Sequence, residues 1–241
     1  MDPLAWRDVD ILVCSPELGP ISRSIVELLP STAVVALMAE PWEVRPGLVD
    51  FDACDEVGIK VAVPNLRHPA IEQLPDLAQL CCRLISNAGL DPTGARVAVL
   101  CDTPCGPFIE RALTNRGAKV QTFPHPLLLT RDDWDAVVVA LRPSEKPAMD
   151  VNGLAAVSEN ARRALLVQFS GEIDRLAARY FGMQLWPQRK PARGQLGLAL
   201  ETLGEAPVFR RFVGGLKAAD TVRRGAQLAA DEIGFVLTRA A

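Results

Sequence analysis

The stretch that decides the fold is residues 94–126, GARVAVLCDTPCGPFIERALTNRGAKVQTFPHP. An apolar run at 97–100 predicts a buried strand, and an amphipathic run at 108–116 predicts a helix that Gly117 ends. A second strand starts at Ala118. Strand, tight turn, helix and strand together make a βαβ unit of dinucleotide-binding size. In such a unit, backbone N–H groups of the turn hold a pyrophosphate at the helix N-terminus.

The rest of the chain repeats this alternation of strand and helix. Further strands are predicted at 10–14, 32–38, 59–63, 133–141, 164–169 and 195–200, and further helices at 21–29, 49–57, 70–88, 152–160, 172–180 and 217–237. The strands are continuously apolar, which is typical of parallel strands covered by helices on both faces. We therefore predict an α/β fold: a doubly wound, Rossmann-like parallel sheet with a second, smaller α/β domain.

Composition excludes several functional classes. The 241 residues carry 26 basic and 29 acidic side chains, a net charge of −3, which argues against a nucleic-acid partner. The start of the chain lacks the pattern of a signal peptide, and no apolar run reaches the roughly 18 residues of a membrane helix. Six cysteines without a CxxC pair and only two histidines argue against a metal site. We expect a cytoplasmic protein with reduced thiols and no membrane partner.

Six segments, in this order, resemble the D-isomer-specific 2-hydroxyacid dehydrogenase family. Residues 49–61, VDFDACDEVGIKV, resemble the family's "vDvdaakerGIpV", and the strand GARVAVL resembles "GktvgIvG". Four later segments resemble "sDvVslhlP", "iNtaRGglvD", "GlDVfeeEP" and "HiGglT"; they are 134–143, 165–174, 197–207 and 212–217. The resemblance covers the chain from about residue 10 to its end.

This resemblance implies two Rossmann-like domains with a ligand cleft between them. The smaller, substrate-type domain would comprise 1–90 plus 217–241, and the larger, nucleotide-binding-type domain would comprise 91–216. NAD would be the cofactor and a small molecule the substrate. A homodimer formed through the larger domain would also be usual for the family.

The family's cofactor motif is altered in this sequence. The three glycine positions of G-x-G-x-x-G hold Cys101, Thr103 and Gly106, and a Cβ at the first two crowds the approach of a pyrophosphate. Prolines 104 and 107 remove N–H donors beside it. The position of the acidic residue that binds the ribose is occupied by Pro124.

The family's catalytic positions are altered as well. The substrate-binding Arg corresponds to Phe169, and the general acid/base His corresponds to Phe212. The orienting Glu corresponds to Glu205, or to Glu201 in a shifted register. Hydride transfer on a 2-hydroxy acid needs a cation for the carboxylate and a titrating group for the carbonyl oxygen. Ordinary NAD-dependent chemistry is therefore disfavoured.

The altered turn still offers candidate site residues. Cys101 and Asp102 are candidate catalytic residues, because a thiol at a helix N-terminus has a lowered pKa and can act as a nucleophile. Alternatively, Cys101 is a small buried residue at the end of a strand. Thr103, Cys105 and Gly106 are candidate cofactor-binding residues, although Thr103 can instead cap the helix.

Other candidates lie in the loops that follow predicted strands. Asn65 and Arg67 are candidate substrate-binding residues, Arg67 through bidentate contact with a carboxylate, and the imidazole of His68 is a candidate catalytic group. Gln168 and Ser170 are candidate substrate-binding residues around the lost Arg. His125 lies where adenosine would lie, and it either stacks on the base or is exposed. The orienting role would fall to Glu205.

Three hypotheses follow. The first is an enzyme that acts on a small metabolite without hydride transfer, with S-adenosylmethionine as a cofactor that needs no pyrophosphate site; it rests on fold analogy alone. The second is an NAD(P)-dependent oxidoreductase of the 2-hydroxyacid dehydrogenase type with non-standard cofactor contacts. The third is a non-catalytic ligand-binding or partner protein.

Overall fold

The computed structural model describes residues 6–16, 18–225 and 233–236. The chain divides into two compact units, the first formed by 1–73 with 204–241 and the second by 74–203. The sequence placed these boundaries at 90/91 and 216/217, and the roles assigned to the two units stay predictions. No helix in the described part of the chain is long and apolar enough to cross a membrane.

The first unit contains a four-stranded sheet with the order β1-β2-β3-β9. The first three strands are parallel, and β9 pairs antiparallel with β3. The strands are β1 Ile11–Cys14, β2 Val34–Leu37, β3 Lys60–Pro64 and β9 Gly234–Val236, and the helices are α1 Arg23–Val26, α2 Phe51–Val57 and α7 Glu205–Arg223.

Helices cover both faces of this sheet. Alternate residues of β2 point to opposite sides: Val35 and Leu37 pack with α1 and α2, whereas Val34 and Ala36 pack with α7. The side chain of Asp50 caps α2 by accepting a hydrogen bond from the Ala53 N–H at 2.9 Å. The prediction that apolar strands carry helices on both faces is confirmed.

The second unit contains a five-stranded, fully parallel sheet with the order β5-β4-β6-β7-β8. The strands are β4 Arg96–Leu100, β5 Lys119–Phe123, β6 Ala136–Ala140, β7 Leu165–Ser170 and β8 Leu185–Trp186, and the helices are α3 Gln73–Asn87, α4 Gly106–Thr114, α5 Val151–Asn160 and α6 Arg175–Tyr180. The first residue of α3 belongs to the other unit. Asp150 and Asp174 cap α5 and α6, so each helix begins directly after a side chain that accepts its N–H groups.

The strand order of the second unit creates a topological switch point. The chain runs from β4 outward to β5, and then returns to the other side of β4 to form β6. The first and third strands of the unit are therefore neighbours, and their connections leave in opposite directions. In doubly wound sheets, ligands bind outside the carboxyl ends of the strands at this position. The predicted Rossmann-like fold is confirmed.

The strand predicted at 195–200 is wrong. Gly197 makes a single backbone contact with β7, in which its N–H donates to the Phe169 carbonyl at 2.8 Å. The backbone passes so close that a Cβ on Gly197 would lie 1.9 Å from the Gln168 carbonyl oxygen. A glycine fits where two backbone segments pass this closely. The segment does not form the regular hydrogen bonds of a β-strand. A short 3₁₀ helix, Leu200–Leu203, follows instead.

The helix predicted at 217–237 is also wrong in its bounds. Helix α7 begins at Glu205 and ends at Arg223, and Gly225 then takes a positive φ of 76°. Gly214 and Gly215 lie inside the helix, and glycine suits both positions, because a Cβ on Gly214 would lie 2.5 Å from Ile71 and a Cβ on Gly215 would lie 2.4 Å from Met38. Residues 226–232 of the predicted helix lie outside the described residues.

Candidate functional site

The carboxyl edge of the second unit's sheet places two opposite charges at the switch point. Asp102 follows β4, and Arg142 follows β6. Their side chains are 36% and 58% exposed. Both groups are therefore open to solvent at the position where this topology binds ligands.

Asp102 and Arg142 contact each other through backbone and side-chain atoms. The Arg142 N–H donates to Asp102 Oδ1 at 2.9 Å, and Arg142 Nη2 donates to the Asp102 carbonyl oxygen at 2.9 Å. Arg142 Nε also lies 3.4 Å from Asp102 Oδ2. The pair thus links the ends of β4 and β6 and leaves part of the guanidinium exposed. Sequence reasoning missed Arg142, although a basic residue directly after a buried strand was the signal that could have identified it.

The turn between β4 and α4 bonds to itself. Thr103 Oγ1 lies 3.2 Å from Cys101 Sγ and accepts a hydrogen bond from the Cys105 N–H at 3.3 Å. The Gly106 N–H donates to the Thr103 carbonyl at 3.3 Å. A Cβ on Gly106 would meet only ordinary contacts, the nearest at 3.5 Å from Cys101 Sγ. The turn therefore uses its polar groups internally and does not require glycine there.

Cys101 differs from a thiol activated at a helix N-terminus. It is 6% exposed, and burial raises the pKa of its thiol. The hydrogen bonds with Thr103 lower the pKa, but burial has the larger effect. The sequence predicted a lowered pKa for this thiol. That prediction is wrong, because the rise in pKa caused by burial is larger than any lowering by the helix N-terminus. The alternative, a small buried residue at the end of a strand, describes its surroundings. Cys105 is buried too.

The end of β7 holds the next group of predicted residues. Gln168 is 3% exposed; its Nε2 donates to the Gly171 carbonyl at 2.8 Å, and its Oε1 accepts from Arg175 Nη2 at 2.9 Å. Ser170 Oγ donates to the Leu141 carbonyl at 3.0 Å. Phe169, at the position of the family's Arg, is 2% exposed and belongs to the core. These contacts give Gln168 and Ser170 structural roles.

His125 lies beyond the end of β5. It is the N-cap of the short 3₁₀ helix Pro126–Leu128, and its Nδ1 accepts a hydrogen bond from the Leu127 N–H at 3.3 Å. The ring is exposed, which is one of the two alternatives that the sequence predicted. A stacking role stays a prediction.

The carboxyl edge of the first unit's sheet is organised around a buried carboxylate. Glu40, which is 8% exposed, accepts hydrogen bonds from the Leu66 N–H and from Trp42 Nε1, both at 2.7 Å. Glu43 Oε2 accepts from the Glu40 N–H at 3.0 Å and forms an ion pair with Arg211 of α7. Two loops and a helix are thereby joined through one network.

The predicted residues after β3 lie beside that network. Asn65 Oδ1 accepts from the Arg67 N–H at 3.1 Å, and His68 Nδ1 accepts from the Ala70 N–H at 3.1 Å. The Arg67 side chain is exposed, and His68 is half-buried. Asn65 and His68 therefore shape the loop, while Arg67 is open to solvent. Their substrate and catalytic roles stay predictions.

The last predicted positions lie on α7. Glu205 is exposed in the first turn, where a carboxylate favours the helix dipole. Phe212 lies within the same helix and is 42% exposed. The segment that resembles "HiGglT" is thus helical, and the orienting role of Glu205 stays a prediction.

Two further observations concern a surface depression and groups that could bind a metal ion. A shallow depression of about 360 Å³ lies between α4 and β5, lined by Pro107, Glu110, Arg111, Thr114, Asn115 and Thr122. It contains none of the predicted site residues. Within the described ranges, no three His, Cys, Asp or Glu side chains come together in a way that could hold a metal ion.

Comparisons with known proteins agree on the fold. No protein-family model matches the chain, and no curated protein matches it in sequence. Solved structures do match. A D-3-phosphoglycerate dehydrogenase described as putative, from Ralstonia solanacearum, has a TM-score of 0.63 and 12% identity over 95% of this chain and 85% of that one. A glyoxylate reductase from Paecilomyes thermophila has a TM-score of 0.61 and 16% identity over 93% and 84%.

A third match carries a different activity in its name. It is one of the subunits of dipicolinate synthase from Bacillus halodurans, with a TM-score of 0.54 and 16% identity over 91% of this chain and 80% of that one. At these identities, the matches describe fold and leave activity open. The resemblance read from six short segments is confirmed at that level: the chain folds as the 2-hydroxyacid dehydrogenases do.

Proposed function

We propose that the protein is an enzyme with a dehydrogenase-like fold that acts on a small anionic metabolite at the β4–β6 switch point, without nicotinamide hydride transfer. The observation that carries this proposal is the exposed guanidinium of Arg142, held at the switch point by Asp102. A guanidinium recognises carboxylate or phosphate groups through paired N–H donors.

The position of this cation supports a changed site. Where the family has its Arg, this chain has the buried Phe169 on β7. Ser170 of β7 is paired in register with Ala140 of β6, so Arg142 follows β6 on the adjacent strand. The sheet edge thus still offers a cation for an anionic substrate, one strand away. Asp102, which contacts it, is the carboxylate best placed to take a proton.

The turn does not fit a dinucleotide pyrophosphate. The Cys105 and Gly106 N–H groups donate to Thr103, and Pro104 and Pro107 have no N–H. Phosphate oxygens would find few free donors. S-adenosylmethionine has no pyrophosphate, and we propose it as the cofactor to test first. No step of the reaction is assigned to it.

A ligand-stabilisation experiment tests this proposal. Melting temperatures of the wild type and of Arg142→Ala are measured with small mono- and dicarboxylates, S-adenosylmethionine, S-adenosylhomocysteine and the four nicotinamide dinucleotides. A ligand at about a hundred times its dissociation constant stabilises the folded state by about 2.7 kcal/mol. We expect a carboxylate to raise the melting temperature of the wild type and to have no effect on Arg142→Ala. If no anion stabilises the wild type, the proposal is wrong and a role in binding a partner takes its place.

An NAD(P)-dependent oxidoreductase is the second candidate, favoured by the dehydrogenase and reductase names of the matched structures. It predicts stabilisation by a nicotinamide dinucleotide and oxidation of NADH or NADPH with a 2-oxo acid. The chain contains His68 and His125 as its only histidines, and neither corresponds to the family's acid/base position. This candidate therefore requires a different proton donor.

A further inference from the structure

Charge is distributed unevenly along the second unit. Residues 175–200 contain five basic residues and no acidic one, in a chain whose net charge is −3. The remaining residues hold 21 basic and 29 acidic side chains. Most of these basic residues are spaced apart along the chain, so the segment does not form a continuous basic run in the sequence.

The structure gathers part of this segment on one surface, which we name the α6 surface. It consists of Leu176, Arg179 and Tyr180 on the exposed side of α6, with Arg189 and Lys190 in the loop after β8. The i, i+3 and i+4 spacing places the first three side by side on the helix. The loop is fixed to the helix, because Arg175 Nη1 donates to the carbonyl of Gln188 at 2.7 Å and Arg175 Nη2 donates to that of Pro187 at 2.9 Å.

The cations of this surface form no ion pair with a carboxylate of the described residues. Among the described residues, no Asp or Glu oxygen lies within 4.0 Å of the charged nitrogens of Arg179, Arg189 or Lys190. The nearby Asp174 carboxylate accepts the Leu176 and Ala177 N–H groups, both at 3.0 Å, as the cap of α6. Exposed positive charge therefore remains uncompensated there.

Two large apolar side chains are exposed on α6 beside Arg179. Leu176 is 78% exposed and Tyr180 is 86% exposed. The Tyr180 ring is held edge-to-face against Phe181, with centroids 5.3 Å apart, and Phe181 packs against the core of the unit. An oriented aromatic ring and an apolar neighbour, on the same helix face as Arg179, have the composition of a protein-interaction hot spot.

We propose that the α6 surface binds an acidic protein segment, in which apolar side chains contact Leu176 and Tyr180 while carboxylates pair with Arg179, Arg189 and Lys190. Its charge decides the kind of partner. A second copy of the chain in a twofold arrangement would bring this surface against itself, and the like charges would repel. A nucleic acid or an anionic membrane would extend beyond the surface and meet the acidic excess of the remaining chain. A short acidic segment meets only the basic face.

Fluorescence anisotropy of the full chain tests this proposal. The probe is a short fluorescein-labelled peptide that alternates acidic residues with leucine. We expect it to bind at low ionic strength and to weaken as salt shortens the Debye length toward about 8 Å. Arg189→Glu/Lys190→Glu and, separately, Leu176→Ser/Tyr180→Ser are each expected to weaken binding at least tenfold. All four positions are solvent-exposed or in the loop, so the fold is retained.

A matched control separates this surface from general charge attraction. Arg162→Glu/Arg163→Glu makes the same charge change at an exposed site elsewhere in the same unit and is expected to change peptide affinity less than twofold. Equal weakening by both charge reversals overturns the proposal, as does the absence of peptide binding. Tighter binding of single-stranded oligothymidine or of phosphatidylserine vesicles overturns it in favour of those partners. None of these readouts depends on the ligand proposed for Arg142.

Discussion

The two carboxyl edges of the molecule use the same kinds of residue in opposite ways. In the first unit, Glu40 is buried, and both its oxygens accept hydrogen bonds from neighbouring loops. In the second unit, Asp102 lies at the equivalent end of a strand, but it is exposed and contacts an exposed Arg142. A buried carboxylate with every partner in place joins loops, whereas an exposed pair retains capacity to bind a ligand.

Position at the end of a strand therefore does not by itself identify a ligand-binding site. Burial and free bonding capacity distinguish the two edges. Gln168 also lies at a strand end, yet its amide is fully engaged with Gly171 and Arg175. The following changes test whether the two edges differ as described.

The largest effect is expected from restoring the family's cation at its original position. Phe169→Arg places a charge at a site that is 2% exposed. We expect the free energy of unfolding to fall by more than about 4 kcal/mol. Urea denaturation measures it, and Phe169→Leu, which keeps the site apolar, should cost far less. A stable Phe169→Arg variant would contradict the burial of this side chain.

The next effect concerns the buried carboxylate of the first unit. Glu40→Ala leaves the Leu66 N–H and Trp42 Nε1 without acceptors, and we expect a loss of about 2–4 kcal/mol in the free energy of unfolding. Glu159→Ala, at an exposed position on α5, should change it by no more than about 0.5 kcal/mol. If the two variants unfolded at the same urea concentration, Glu40 would have no structural role.

A smaller change in stability is expected at the switch point. Asp102→Ala removes a pair whose members are both largely exposed, so the free energy of unfolding should fall by less than about 1 kcal/mol. The same substitution removes the carboxylate contacts with the Arg142 N–H and Nε, while the Asp102 carbonyl still accepts from Nη2, and it should change binding of an anionic ligand more than it changes the fold. Calorimetric titration beside urea denaturation separates the two quantities. A loss as large as that of Glu40→Ala would make the two edges alike.

The smallest effect should appear only in alkaline solution. Burial raises the folded-state pKa of Cys101 above the ordinary value of 9.0, so the unfolded chain releases this proton first. Stability contributed by the neutral thiol is present below about pH 9 and is lost as pH rises from there through the raised folded-state pKa. Cys101→Ala should therefore show a shallower decline above pH 9. An equal decline would mean that this thiol ionises alike in both states.

Sequence patterns predicted the elements with local signals and missed those with long-range causes. The βαβ segment 94–126 was predicted because apolar runs mark its strands and helix and Gly117 marks the end of the helix. Strand β9 was missed because only pairing with β3 defines its three residues. The last helix was predicted to begin at Lys217, but α7 begins at Glu205 and includes Gly214 and Gly215, which closely approach Ile71 and Met38.

The residues of the candidate site were likewise predicted only where the signal was local. The turn at 101–106 was predicted as a site from its spacing, and its lack of glycine at Cys101 and Thr103 was visible in the sequence. Arg142 was not identified, although it closely follows a predicted buried strand, because its position beside Asp102 depends on β6 lying next to β4 in the sheet. Burial of Cys101 could not be read from the chain either. The homodimer that the resemblance implies stays a prediction.

The division of the chain into units has a consequence for its synthesis. Residues 74–203 of the second unit are continuous, so this unit can fold as soon as they have left the ribosome. The first unit must wait, because α7 covers one face of its sheet and comes from residues 205–223. From the synthesis of Ala62 to that of Arg223, the apolar residues Val34, Ala36 and Ala62 lack their covering helix for about 8–32 s at roughly 5–20 residues per second. A chaperone that binds nascent chains would find its target there.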